Sequence, residues 1–170
     1  KRIRPSVMLT VYKALGGTEL PKAISIASSV EMIHNWTLIH DDIIDESDVR
    51  RGVDTVHVKW DRDVAILAGD MLNNLAFEVI CLSGFDQRAI ARMTCVISRA
   101  SMEVIDGEMM DVDFETQNNV TQRDYFEMIG KKTGALFSCS TACGAIMAGA
   151  TAEQEEAVHQ YGKHIGLAFQ

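Results

Sequence analysis

Apolar residues recur every three or four positions over long stretches, with only two prolines in 170 residues and no period-two alternation, which constrains this chain to pack helices on helices. The pattern predicts helices near 5–15, 21–46, 63–83, 86–112, 122–130, 131–149 and 152–170. The punctuation agrees. Gly16-Gly17 ends the first helix, and Pro21 opens the second at a favourable first-turn position. Asp61 or Asp63 can cap the third, Ser83-Gly84 separates third from fourth, and Thr151 with Gln154 has the form of a capping box. The stretches 21–46, 63–83 and 86–112 are apolar around much of their circumference, as expected of helices packed on several sides. No repeat or linker interrupts, so residues 1–170 read as a single all-α domain, long enough to bury a substantial core.

Charge and cysteine usage narrow the function classes. A formal net charge of −8 argues against a nucleic-acid surface, which needs clustered Lys and Arg, but not against a small phosphorylated substrate. Lys1, Arg4, Arg50, Arg51 and Lys132 suffice for a local basic pocket. Cys81, Cys95, Cys139 and Cys143 form no CxxC pair and have no histidine at zinc-ligand spacing, so neither a disulfide framework nor a zinc module is indicated. Cys139 and Cys143 lie one turn apart and read as small packing residues. No signal peptide is visible, and the most apolar stretch, 141–150, is too short for a bilayer. No transmembrane segment and a cytoplasmic location are the resulting expectations.

The chemistry concentrates in residues 41–52, DDIIDESDVRRG. At 100° per residue Asp41 and Asp45 share one helix face with Asp42 one step round, so their carboxylates converge. Hard oxygen ligands of this kind suit Mg²⁺, which takes its remaining ligands from water and substrate phosphates. A solvated acidic helix end would have the same composition. The paired Arg50-Arg51 that follows favours a phosphate site, since guanidinium groups beside metal ligands serve diphosphate handling. A calcium loop fits poorly, because the required glycine and alternating ligand spacing are missing.

Four separated motifs then stand in order: Lys1-Arg2-Ile3-Arg4-Pro5, Glu31-Met32-Ile33-His34, DDIIDESDVRRG at 41–52, and Lys131-Lys132-Thr133-Gly134-Ala135-Leu136-Phe137. In order and spacing they resemble the trans-isoprenyl diphosphate synthases, the polyprenyl synthetase family, most like its archaeal-type geranylgeranyl and farnesyl diphosphate synthases. The resemblance runs the length of the chain. Both ends read as internal positions of the family pattern, and Gly162 to Gln170 resembles the approach to a second aspartate-rich motif that this sequence does not contain.

The resemblance implies an isoprenoid synthase-type helical bundle around a deep apolar cavity, and a homodimer. It implies an enzyme that uses Mg²⁺ to ionise an allylic prenyl diphosphate, condenses it with isopentenyl diphosphate and loses a proton to the departing diphosphate. Asp41 and Asp45 would hold the metal, with Asp42 supporting them. Arg50 would grip the allylic diphosphate, and Lys1, Arg4, His34 and Arg51 match positions for isopentenyl diphosphate. Lys132 and Thr133 match a Lys-Thr pair at the allylic diphosphate and nascent cation, and Phe169-Gln170 an aromatic and glutamine pair beside them. Gly107-Glu108-Met109-Met110-Asp111 stands where the family usually has Gly-Gln-x-x-Asp. Asp111 keeps its carboxylate as a metal-shell or lysine partner, while Glu108 in place of glutamine adds a charge. Asp54-Thr55 replaces a common Pro-Thr, with His57 expected as a structural hydrogen-bonding residue. Trp36, Thr37 and Ile33 fall at the family's chain-length positions, and an aromatic at the fifth position before the first Asp with Thr at the fourth implies geranylgeranyl diphosphate as product. A class I terpene cyclase and a non-catalytic partner subunit of a prenyl synthase are the alternatives. Lys1, Arg4, His34 and Arg51 speak against the first and the intact DDIID against the second.

Overall fold

The computed structural model describes residues 1–170. Its elements are α1 (Ile3–Ala14), α2 (Leu20–Ile44), a hairpin of β1 (Val49–Arg50) and β2 (Val53–Asp54), α3 (Val56–Lys59), α4 (Arg62–Cys81), α5 (Gln87–Phe114), α6 (Gln122–Ile129), α7 (Ala135–Ala148) and α8 (Ala152–Phe169). A π-helical turn, Gly130–Gly134, joins α6 to α7. The all-α class expected from the periodicity is the observed one.

Local chemistry sets the helix ends. Pro21 sits in the first turn of α2. Asp61, not Asp63, caps α4, its Oδ1 accepting from Val64 N at 2.7 Å. The Thr151–Gln154 capping box forms, and a second one, Thr121 with Asp124, starts α6. Helix α2 stops at Ile44 rather than 46, because Asp45 is its C-cap and Glu46 takes a left-handed φ of 51°.

Helix α7 is the central element, buried around nearly its whole surface, with α1, α2, α5 and α8 packed about it. Small residues permit the close approaches. A Cβ on Gly144 would stand 2.6 Å from Met8 O of α1, and one on Gly166 the same distance from Gly134 Cα. Cys139 and Cys143 are buried free thiols in this helix.

One expectation needs correction. By length and composition alone α4 could cross a membrane, with mean hydropathy 1.5. It is not covered on several sides. It packs on α2, but 22% of its apolar window is buried, and Leu67 and Met71 are two-thirds exposed. Apolar composition around a helix shows what it can bury, and here α2 covers one face while α3 and α5 touch α4 only slightly. The hairpin was also absent from the periodicity, since two-residue strands carry no measurable alternation.

Candidate active site

Asp41 and Asp42 lie in the last turn of α2, where the aligned peptide dipoles already place partial negative charge and no basic side chain offsets it. Such a helix end draws cations. The hairpin brings one back: Arg51 (φ 55°) and Gly52 (φ 81°) both take the left-handed conformation that suits a two-residue turn. That turn swings Arg50 over α2, where its Nε donates to Asp42 Oδ1 at 2.6 Å and its Nη2 to Asp41 Oδ2 at 3.0 Å. Asp42 is buried beneath Arg50. Behind the hairpin, Thr55 Oγ1 donates to Ser47 O at 2.8 Å and lies 3.2 Å from His57 Nδ1.

The opposite wall comes from α5 and the π-helical turn. Gly107 makes this contact possible, since a Cβ there would overlap Lys132 N and stand 2.9 Å from Lys132 Cα. The close approach sets Glu108 and Asp111 beside Lys132, whose Nζ lies 2.6 Å from Asp111, 2.8 Å from Glu108 and 3.2 Å from Asp41. Carboxylate oxygens of Asp41, Asp45 and Glu108 all fall within 4.8 Å of one another. Five carboxylates, Asp41, Asp42, Asp45, Glu108 and Asp111, thus share two cations, Arg50 and Lys132.

The imbalance shows in the protonation equilibria. Burial, together with the neighbouring Asp41 and against the pull of Lys132, pushes the Glu108 carboxyl up to about 7. Burial and Asp41 likewise raise Asp45 above the usual carboxylate range, with Lys132 opposing. Burial works against the charge on Lys132, yet Asp111, Glu108 and Asp41 outweigh it and hold the ammonium above its ordinary value. Glu108 Oε1 is buried without a hydrogen-bond partner. A hard divalent cation is the group that such an oxygen set and such an excess of negative charge accommodate.

Below the carboxylates a cavity of about 650 Å³ descends between α2, α5 and α7, lined by Trp36, Thr37, His40, Val104, Met109 and Leu136 among others. Trp36 is nearly fully buried. Thr37 Oγ1 is tied to His34 O at 2.9 Å. Ile33 is fully buried in the core and does not reach the cavity wall. On the far side Thr133 Oγ1 donates to Gln170 Oε1 at 3.0 Å, and Phe169 packs on Phe137 with centroids 5.4 Å apart. A separate cavity of about 620 Å³ between α5, α7 and α8 holds none of these groups.

The basic residues gather on one side of the mouth. Arg4 Nη1 donates to His34 Nε2 at 3.1 Å, and its guanidinium lies 4.8 Å over the Phe137 ring. Arg4 Nε is buried with no partner. Burial, then the charges of Arg4, Arg51 and Arg50, push His34 down to about 3, so the ring stays neutral. Lys1 and Arg51 themselves are exposed. Of the residues named from the sequence, the structure brings Asp41, Asp45, Asp111 and Lys132 together and sets Arg4 against His34. Sequence reasoning did not include Glu108 in the carboxylate group, although its place three residues before Asp111 puts both on one helix face. It also gave Arg50 to a substrate phosphate, whereas here the side chain is held by Asp41 and Asp42.

Residues 1–170 match the family described as Polyprenyl synthetase. The chain is 43% identical to the geranylgeranyl diphosphate synthase of Methanosarcina mazei, covering 100% of this chain and 52% of that protein. It superposes on the geranylgeranyl pyrophosphate synthetase of the archaeon Geoglobus acetivorans with a TM-score of 0.96 at 40% identity, over 100% of this chain and 55% of that one. For the geranylgeranyl pyrophosphate synthetase of Pyrococcus horikoshii the TM-score is 0.96 at 43% identity, over 99% and 51%. The chain spans about half the length of the curated relatives it matches.

Proposed function

The chain belongs to the polyprenyl synthetase family, and on that premise we propose that it carries the diphosphate-ionising wall of a Mg²⁺-dependent trans-prenyltransferase. The reaction joins isopentenyl diphosphate to an allylic prenyl diphosphate, with geranylgeranyl diphosphate as the product. One observation carries the reading: carboxylates in excess of their cations stand at the mouth of a deep apolar cavity, with a second, basic cluster beside them.

Asp41, Asp45 and Glu108 would hold Mg²⁺, which when bound supplies positive charge where the departing diphosphate accumulates negative charge. Asp42 works through Arg50, fixing the guanidinium across the end of α2. Lys132, presented by the π-helical turn, offers donors to the leaving oxygens, and Asp111 orients it. Thr133 lines the cavity and holds the Gln170 carboxamide, so two polar groups flank the place where allylic positive charge develops. Arg4, with its unused Nε, and Lys1, Arg51 and neutral His34 form the receiving site for isopentenyl diphosphate. Thr37 and Trp36 close the cavity below the carboxylates and limit the growing chain. The exposed apolar face of α4 suits a second copy, in keeping with a homodimer, and the cytoplasm is the proposed location.

The test uses the full-length protein with Mg²⁺, isopentenyl diphosphate and farnesyl diphosphate, with products read by mass spectrometry. Geranylgeranyl diphosphate is expected. Absence of any elongated product, with diphosphate binding retained, would move the reading to a cyclase or a silent partner subunit.

A further inference from the structure

Gly69 lies on α4 where that helix packs against α2, and it has no space for a side chain. A Cβ there would overlap His40 Nε2 and stand 2.6 Å from His40 Cδ2 and 3.1 Å from Trp36 Cδ1. Trp36 and His40 are one turn apart on α2, their rings edge to face with centroids 5.9 Å apart. Both line the cavity below the carboxylates. Each ring therefore has α4 on one side and the cavity on the other.

His40 is tied to α4. Its Nε2 lies 3.2 Å from Ile66 O, an oxygen that can only accept, so Nε2 carries the proton. Asp70 Oδ1 lies 3.8 Å from the same nitrogen. The bare Cα of Gly69 forms the recess that admits the imidazole this far. Trp36 leans on the imidazole and on the same recess.

We propose that Gly69 is a product-length determinant: its missing side chain lets His40 and Trp36 withdraw toward α4, and this withdrawal sets the depth of the cavity that receives the prenyl chain. The proposal rests on the reading of Trp36 as the cavity floor. The atoms a new Cβ would meet belong to two side chains and not to backbone. A larger residue at 69 therefore displaces the rings before it parts the helices, and the cavity is the open space into which they move.

Product distributions of the full-length protein test this. Gly69→Ala is expected to shift the main product shorter by one isoprene unit. In a Trp36→Ala background the same change should shorten the products less, because only the His40 ring remains to be pushed toward the cavity. An active Gly69→Ala variant with the unchanged product, or with longer ones, overturns the proposal. Should Gly69→Ala fail to fold, His40→Ala serves instead. It empties the recess, lets Trp36 settle deeper and is expected to lengthen the products, and unchanged products would likewise overturn the proposal. Trp36→Ala alone separates the two levels. If it lengthens products while Gly69→Ala shortens nothing, the floor stands and the role of Gly69 falls. If Trp36→Ala changes nothing, the floor reading falls and takes Gly69 with it.

Discussion

At the mouth of the cavity five carboxylates share two cations, while farther in Trp36, Val104 and Leu136 line it as members of the buried apolar core. The mouth is held by charges that compensate one another only in part, and the deficit is what suits it to a cation. The floor is held by shape. Its one buried unpartnered polar atom is Trp36 Nε1. Changes at the mouth should therefore act on rate and metal affinity, and changes at the floor on which product leaves.

The largest effects belong to the mouth. Asp41→Ala or Asp45→Ala should lower Mg²⁺-dependent turnover by on the order of 10³-fold or more, as expected when a principal electrostatic contribution to the ionisation step is lost. Near-normal rates in either variant would refute the metal assignment. Glu108→Gln restores the residue type that the resembled family usually carries and leaves a hydrogen-bonding partner for Lys132. If Glu108 is a ligand, Mn²⁺ binding followed by electron paramagnetic resonance should weaken by about 10-fold or more, comparable with the loss of an established metal-site partner. Unchanged Mn²⁺ affinity would reduce Glu108 to a counter-ion of Lys132.

The floor should behave differently. Trp36→Ala is expected to lengthen the products by at least one isoprene unit with a far smaller fall in kcat than Asp41→Ala, because Trp36 carries no charge and lies outside the carboxylate group. A large fall in kcat with an unchanged product would break the division between mouth and floor.

What the sequence revealed follows the same division. Residues whose role depends on neighbours along one helix were legible: Asp41 and Asp45 share a face, Lys132-Thr133 sit together, and the caps at Asp61 and Thr151 obey local rules. Residues whose role depends on two elements meeting were not. Glu108 joins Asp41 only because Gly107 lets α5 touch the π-helical turn. Gly69 matters only because α4 packs on α2 beneath Trp36 and His40. Ile33, one turn from Thr37 by helical spacing, packs in the apolar core and is not among the residues that line the cavity, which only the packing of several helices decides.

The smallest expected effect concerns the basic side of the mouth and reports on stability rather than turnover. His34 accepts from Arg4 and has the charges of Arg4, Arg51 and Arg50 about it, so burial and these charges push it down to about 3 from an ordinary 6.5. Between those two values the unfolded chain binds a proton at this position that the folded chain does not. The neutral ring therefore contributes stability that is fully present above pH 6.5 and is lost as the pH falls toward 3. The slope is at most about 1.4 kcal/mol per pH unit, or about 2 kcal/mol between pH 7 and 5. Urea unfolding at those two pH values should show the wild type losing more stability than His34→Gln, whose side-chain oxygen can still accept from Arg4 and does not titrate. Equal losses would mean that His34 already carries a proton in the folded protein, and the basic cluster would then have to tolerate a further charge at its centre.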